Sequence, residues 1–420
     1  MKDVSRREFI SAAGLSGVAL GSGFASESRA SSSAATLAPL TAQARPITAE
    51  ERLARTSKLQ TLMQSQKIAA LLVEAGSSLE YFTGVSWWRS ERTTAALIPA
   101  QGKTVVVTPY FEEPSIRETL QVDAEVRTWK EDESPFALLA AAIRQHERAA
   151  GTLAIEPTLR FFIWDNVSKS LNGARNITSG DAVVSACRMH KSASELALMQ
   201  VANDVTLAAI RHVHAQVKQG MTAQDVLAIL IDATTQLGGN HELTLVLLNE
   251  AAAFPHGSNK PQSVRSGSTI LIDSTCTVHG YQSDISRTWF FGDASKRQRE
   301  VWNTVKRGQE VALERAKVGI PVGSIDKAVR TYYESLGWSR DYLLPGLSHR
   351  TGHGIGMDVH ESPYLVRSDQ RPLEAGMCFS DEPGLYIPGE FGVRLEDCWY
   401  MTDQGPKTFT PLAESVDKPV

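Results

Sequence analysis

Four acidic residues sit where strands should be apolar, and their spacing limits how the second half of this chain can fold. Residues 268–272, Ser-Thr-Ile-Leu-Ile, read as a buried strand and run straight into Asp273. A second apolar run, residues 285–291, is preceded by Asp284, with the turn-like Val278-His279-Gly280-Tyr281 between the two runs. A hairpin closed there is expected to set Asp273 opposite Asp284. The pattern recurs: Met377-Cys378-Phe379 leads to Glu382, and Gly392-Val393-Arg394-Leu395 leads to Glu396, with Gly389 midway. Glu382 and Glu396 are therefore expected to be cross-strand partners. Like charges directly opposite on a sheet are destabilising, and an unpaired buried carboxylate is worse. A protonated carboxyl or a nearby arginine would account for one such pair; two pairs in one domain call for cations between them, the ordinary alternative being that all four acids are solvated strand ends.

A histidine joins the set. His353 stands among three glycines in Gly352-His353-Gly354-Ile355-Gly356, where the missing side chains let the backbone approach a site closely. The run is not a phosphate loop, because Ser362-Pro363 argues against the helix such a loop needs. Nor is His360-Glu361 an HExxH zinc motif, since the second histidine is absent. Four carboxylates and one imidazole form a hard donor set without thiolates. Such a set suits manganese, cobalt or iron, and zinc less specifically. Two divalent ions held by it would activate water for attack on an amide or ester carbonyl.

The rest of the chain bounds this reading. Its 420 residues, 42% apolar, allow two to three domains with buried cores. A net charge of −4 gives no general attraction to nucleic acid. The four cysteines form no CxxC pair, which excludes a zinc knuckle; Cys378 and Cys398 lie on the two glutamate strands, as a near pair or as free thiols. Arg6-Arg7 before a weakly apolar, glycine-rich stretch has the pattern of a twin-arginine export signal over residues 1–30. That stretch is too polar for a stable membrane span. Cleavage is expected after Ala30 or Ala44, with residues 31–47 as a flexible linker. Export would use the twin-arginine machinery and place the protein in the periplasm or outside the cell.

Residues 48–180 read as an α/β domain, with strands at 69–73, 93–99, 103–108 and 152–156 and a helix over 135–149. Residues 181–420 read as a second domain in which a helix pair followed by strands occurs twice. The helix pairs span 192–217 with 222–237, and 295–318 with 324–336. Their joints, Lys218-Gln219-Gly220 and Lys317-Val318-Gly319, suggest two related halves. Trp87-Trp88 with Arg89 and Arg92 is an unusual cluster in the first domain, and the two arginines are candidate partners for a substrate carboxylate.

The ordered set Asp273-x10-Asp284, His353, Glu382 in Asp-Glu-Pro-Gly-Leu-Tyr and Glu396 in Val-Arg-Leu-Glu-Asp resembles the pita-bread metallopeptidases. Within them it is most similar to the aminopeptidase P, prolidase and creatinase group. The resemblance covers roughly residues 47–405. It implies an N-terminal creatinase-like α/β domain and a C-terminal α+β pita-bread domain of two pseudo-symmetric halves. It implies two divalent ions per subunit, manganese foremost. Asp273 would chelate one, Asp284 and Glu396 would bridge both, and His353 and Glu382 would complete the second. Glu382 matches the general base, His256 the histidine that stabilises the oxyanion, and His360 the one that assists proton transfer. His349 matches a histidine near the proline pocket, and Arg394 an arginine that braces the site and meets substrate. The implied activity is an Xaa-Pro peptidase, of aminopeptidase P or prolidase type, acting on small peptides with proline second and assembling as a homodimer or larger. The alternatives are a pita-bread hydrolase or lyase acting on a non-peptide small molecule, and a non-catalytic binding protein. Creatinase-type relatives lose metal ligands that this chain keeps.

Overall fold

The computed structural model describes residues 37–146, 151–171 and 176–420. The twin-arginine segment and the end of the helix expected over 135–149 lie outside them. The segment expected to be a flexible linker is docked from Leu37 onward. Leu40 donates its N–H to the Leu237 carbonyl at 2.9 Å, Leu37 donates to Gln236 Oε1 at 3.1 Å, and Ile47 is buried.

The first domain is built on a six-stranded mixed sheet. Its order is Ala124–Trp129, Thr104–Pro109, Ala95–Pro99, Ile68–Glu74, Thr152–Ile155 and Ile177–Ser179. Successive residues of a strand point to opposite faces, and both faces here are covered. Ala70 and Leu72 pack with Leu139, Ile143, Ile163 and Val167 of the helices Pro135–His146 and Phe161–Ser170. Leu71 and Val73 join a second core with Leu59, Phe82 and residues of the second domain such as Leu198, Ile210 and Ile270. Leu59 belongs to the helix Ala49–Ser65, which the sequence reading did not anticipate. Its start is fixed by a capping box, Thr48 accepting from Glu51 N–H while the Glu51 carboxylate accepts from Thr48 N–H.

The second domain repeats its plan. Helices Ala193–Gln216 and Ala223–Gln236 precede the sheet Ile285–Phe290, Thr269–Val278 and Asn240–Leu248. Helices Lys296–Arg315 and Gly323–Ser335 precede a five-stranded sheet containing Gly352–Gly354, Glu361–Leu365, Cys378–Asp381 and Asp397–Thr402. The two joints are built alike. Gly220 and Gly319 adopt φ of 89° and 87°, the left-handed region that favours glycine. Gly220 N–H reaches Val264 O and Gly319 N–H reaches Leu373 O, each at 2.8 Å. Val264 and Leu373 return the bond to Met221 and Ile320, also at 2.8 Å.

The hairpin registers decide where the acids fall. Asp273 faces Ser286, not Asp284 as expected, and Asp284 lies between the paired segments. The turn is the two-residue His279-Gly280, with φ of 48° and 81°, so the hairpin is centred one position later than the midpoint of the two aspartates. A one-position shift of centre moves the partner by two residues, which preserves the face. Asp273 and Asp284 are therefore diagonal neighbours on one side of the sheet. The second hairpin follows the expected register. Asp381 faces Asp397 and Gly384 faces Arg394, so Glu382 and Glu396 fall opposite each other in the gap between paired segments. All four cysteines are free and buried. Among the described residues, no helix is long and apolar enough to cross a membrane.

Candidate metal centre and active site

Asp273, Asp284, His353, Glu382 and Glu396 line one cavity of about 160 Å³ together with His256, His349, His360 and Arg394. Nine residues singled out in the sequence, on six separate segments, are thus brought together. Donor atoms of Asp273, Asp284 and Glu396 lie within 4.8 Å of one another, as do those of His353, Glu382 and Glu396, and those of Asp284, His353 and His360. Asp284, His353 and Glu396 each belong to two of these triads.

The arrangement follows from local structure. Ser286, two residues along the strand from Asp284, donates its hydroxyl to Glu396 Oε2 at 2.7 Å, tying the two hairpins together. Arg394 donates to Asp273 Oδ2 at 2.7 Å, Ser286 Oγ at 2.9 Å, Tyr386 OH at 2.8 Å and the Pro255 carbonyl at 3.1 Å. Its guanidinium is committed to bracing the site. His353 directs Nδ1 at the Gly354 carbonyl, 3.1 Å away, which leaves Nε2 facing Glu382 Oε1 at 3.4 Å and Asp284 Oδ2 at 3.6 Å. His349 has both nitrogens engaged, Nδ1 with Arg350 O and Nε2 with Tyr386 OH, each at 2.7 Å. Burial and the nearby Arg394 charge bring its pKa down to about 3, so the ring is neutral. His256 and His360 are exposed at the mouth, and the His360 ring centroid is 4.1 Å from that of His353.

The donors fit divalent cations on electrostatic grounds. Burial, and then the charges of Asp273 and Glu382, push the Asp284 carboxyl well above the usual range. Burial and the charges of Asp284, Glu382 and Asp273 do the same to Glu396. Glu382 is raised to about 8 by burial and Asp273, with Arg394 and Arg350 opposing. One arginine in direct contact cannot balance this many carboxylates, whereas cations among them can.

Sequence reasoning missed Arg350, Tyr386 and Ser286. Arg350 lines the cavity, stacks over Tyr364 at 4.4 Å and has no ion pair among the described residues. Its signal was adjacency to His349; that of Ser286 was two-residue spacing from Asp284. Conversely, Arg89 and Arg92 are not at this cavity. Arg89 pairs with buried Glu74 at 2.8 Å and Arg92 with Glu131 at 2.8 Å. Trp87 and Trp88 stack at 4.5 Å and line a separate cavity of about 720 Å³ that holds none of these donors.

Comparison with known proteins places the chain in a family. Residues 197–403 match the model of metallopeptidase family M24, and residues 55–190 match the creatinase/prolidase N-terminal domain. An Xaa-Pro dipeptidase of Lactobacillus helveticus is 30% identical over 84% of this chain and 95% of its own length. The crystal structure of dipeptidase PepE from Mycobacterium ulcerans superposes with a TM-score of 0.78 at 27% identity, over 87% of this chain and 97% of that one. A prolidase from Thermococcus sibiricus gives 0.78 at 25% identity, over 85% and 96%. With both domain types present, in this order and over nearly the full length of such relatives, the chain belongs to the M24 metallopeptidases.

Proposed function

We propose that this enzyme is an Xaa-Pro peptidase of the dipeptidase type, cleaving between an N-terminal residue and proline with two divalent ions per chain, manganese foremost. The observation that carries this reading is the overlap of donor triads within 4.8 Å in one small cavity ringed by histidines. Similarity to the L. helveticus Xaa-Pro dipeptidase supports the substrate class. Asp273, Asp284, His353, Glu382 and Glu396 would hold the divalent ions, which would supply Lewis acidity and lower the pKa of water at the site. Glu382 would take a proton from the attacking water and pass it on toward the leaving proline nitrogen as the C–N bond breaks. His256 donates to the oxyanion that develops on the scissile carbonyl, and His360 assists proton transfer to the leaving proline nitrogen. Proline has no amide hydrogen to recognise, so shape selects it. The small cavity and the unpaired Arg350 guanidinium favour a short substrate with a free carboxylate.

A hydrolysis panel tests this. Xaa-Pro dipeptides should be cut fastest, Xaa-Pro-Yaa peptides more slowly and non-proline dipeptides negligibly. His256→Ala and His360→Ala should keep their metal content yet lose roughly 10²-fold or more in turnover. Equal rates on non-proline dipeptides would overturn the substrate class. Near-normal turnover in both variants would overturn the assigned roles.

Export as a folded protein belongs to the same reading and rests on Arg6-Arg7. Cleavage after Ala30 would retain the docked segment from Leu37, which cleavage after Ala44 would remove. Changing Arg6 and Arg7 to lysine should leave the precursor in the cytoplasm. Undiminished periplasmic protein from that variant would count against the route.

A further inference from the structure

Next to His360 in the chain, Glu361 is buried and points away from the reaction cavity. Its carboxylate is the hub of the loop that joins the paired segments at Gly354 and Glu361. Oε1 accepts from the N–H groups of Met357 at 2.9 Å and Asp358 at 3.0 Å, and from Arg188. Oε2 accepts from Lys191 Nζ at 3.2 Å. Gly356 is needed for this approach: a Cβ there would come within 2.8 Å of both Glu361 Oε1 and Lys191 Cε. Burial pushes the Glu361 carboxyl up, but Arg188 and Lys191 outweigh it and bring it to about 2, so it is a carboxylate.

Both cations lie outside the M24 match, at the junction between the domains. Arg188 ends the helix Asp181–Arg188 within the N-terminal domain match, and Lys191 lies in the short stretch between the two family matches. Arg188 also donates to Ser77 Oγ at 2.9 Å, Ser78 Oγ at 3.1 Å and Asp358 Oδ2 at 2.9 Å. Ser77 donates to Asp358 Oδ2 at 2.7 Å. The first-domain helix Ser77–Thr83 and the His360 loop therefore meet on Arg188, whose guanidinium the buried Glu361 carboxylate holds.

We propose that Glu361 is the positioning residue for His360: with Arg188 and Lys191 it fixes the loop that holds the His360 ring at the cavity mouth and ties that position to the first domain. The inference rests on the catalytic reading of His360. The Glu361 carboxylate touches no reacting atom, so its effect should pass through the histidine.

A double-mutant cycle tests this on the metal-loaded enzyme. Glu361→Gln keeps the size of the side chain but removes the charge facing two buried cations. It should lower kcat by about 10- to 100-fold, the scale of a misplaced catalytic group, with KM within about 2-fold and metal content unchanged. In the His360→Ala background the same change should cost less than about 2-fold, because the group it positions is gone. If Glu361→Gln does not fold, Arg188→Ala is run through the same cycle, with Arg188→Lys expected to restore part of kcat. Losses that multiply in the double variant would overturn the positioning role alone, as would an unchanged kcat in Glu361→Gln. An unchanged kcat in His360→Ala would overturn the catalytic reading and this inference with it.

Discussion

Replacing Asp284 or Glu396 with alanine should empty the site of both ions, because each carboxylate shares a triad with Asp273 and also reaches the His353 side: Asp284 Oδ2 lies 3.6 Å from His353 Nε2, and Glu396 shares a second triad with His353 and Glu382. Turnover should fall by roughly 10³-fold or more, since the Lewis acid contribution is lost with the ions. Metal analysis of the purified variants is the direct readout, and full metal retention in both would remove the bridging assignment. The ion-stripped protein gives an independent check. Glu382 moves from 4.5 to about 8 in the folded chain through burial and Asp273. Between those values the folded state binds more protons than the unfolded state, so stability falls as pH rises. Stripped wild-type protein should therefore melt lower at about pH 8 than at about pH 5.5. Metal binding needs deprotonated ligands, so added ions should raise Tm more at the higher pH. Glu396→Ala relieves part of the repulsion, and at about pH 8 the stripped variant should melt above the stripped wild type. A stripped wild-type Tm that rises with pH over this range would show that the carboxylates are not crowded as described.

The donors were legible because acids recur in two pairs at the ends of strands that read as buried, and a histidine stands between glycines, a combination that solvated strand ends alone explain poorly. The helix pairs were legible from their periodicity, and Ser192, Thr222 and Ser295 cap the observed helices. What was not legible is contact at long separation. Arg188 and Glu361 are 173 residues apart, and nothing local at either one specifies the other. The register of the Asp273 hairpin was misjudged because a turn fixes its centre only to the nearest residue, and one residue of error changes the partner. The helix Ala49–Ser65 carries charge around most of its surface, so its apolar stripe is weak; Thr48-x-x-Glu51 was the usable signal. Arg89 and Arg92, weighed as partners of a substrate carboxylate, are engaged within the chain by Glu74 and Glu131, which nothing local to residues 87–92 specifies.

Asp397→Ala should be among the most destabilising single changes in the second domain. Arg287, on the first-half strand, is fully buried. It meets the second half through Asp397, with Nη2 at 2.6 Å from Oδ1 and Nη1 at 3.2 Å from Oδ2. The carbonyls of Glu396, Ser286 and Pro411 accept its remaining bonds, while its Nε has no partner. Asp397 also accepts from Gln309 at 2.9 Å and Thr410 at 2.6 Å. Alternation along the strand puts Glu396 toward the metal centre and Asp397 behind it, so the pair holds the two halves together directly beneath the donors. Removing the carboxylate strands a buried guanidinium, which costs about 3–5 kcal/mol. One group limits that cost. Asp381 faces Asp397 across the strands, its oxygens meet no partner among the described residues, and burial and the Asp397 charge push its carboxyl well up. With Asp397 gone, its cross-strand partner Asp381 is a buried carboxyl able to ionise in its place. Asp381→Asn alone should therefore be nearly neutral, and the same change added to Asp397→Ala should destabilise the protein further. Arg287→Met with Asp397→Leu should recover most of the loss, because removing both charges abolishes the desolvation penalty. Chemical denaturation of the four variants checks the scheme. A cost below about 1 kcal/mol for Asp397→Ala, or an Asp381→Asn change as damaging as Asp397→Ala, would mean that the halves are held together elsewhere.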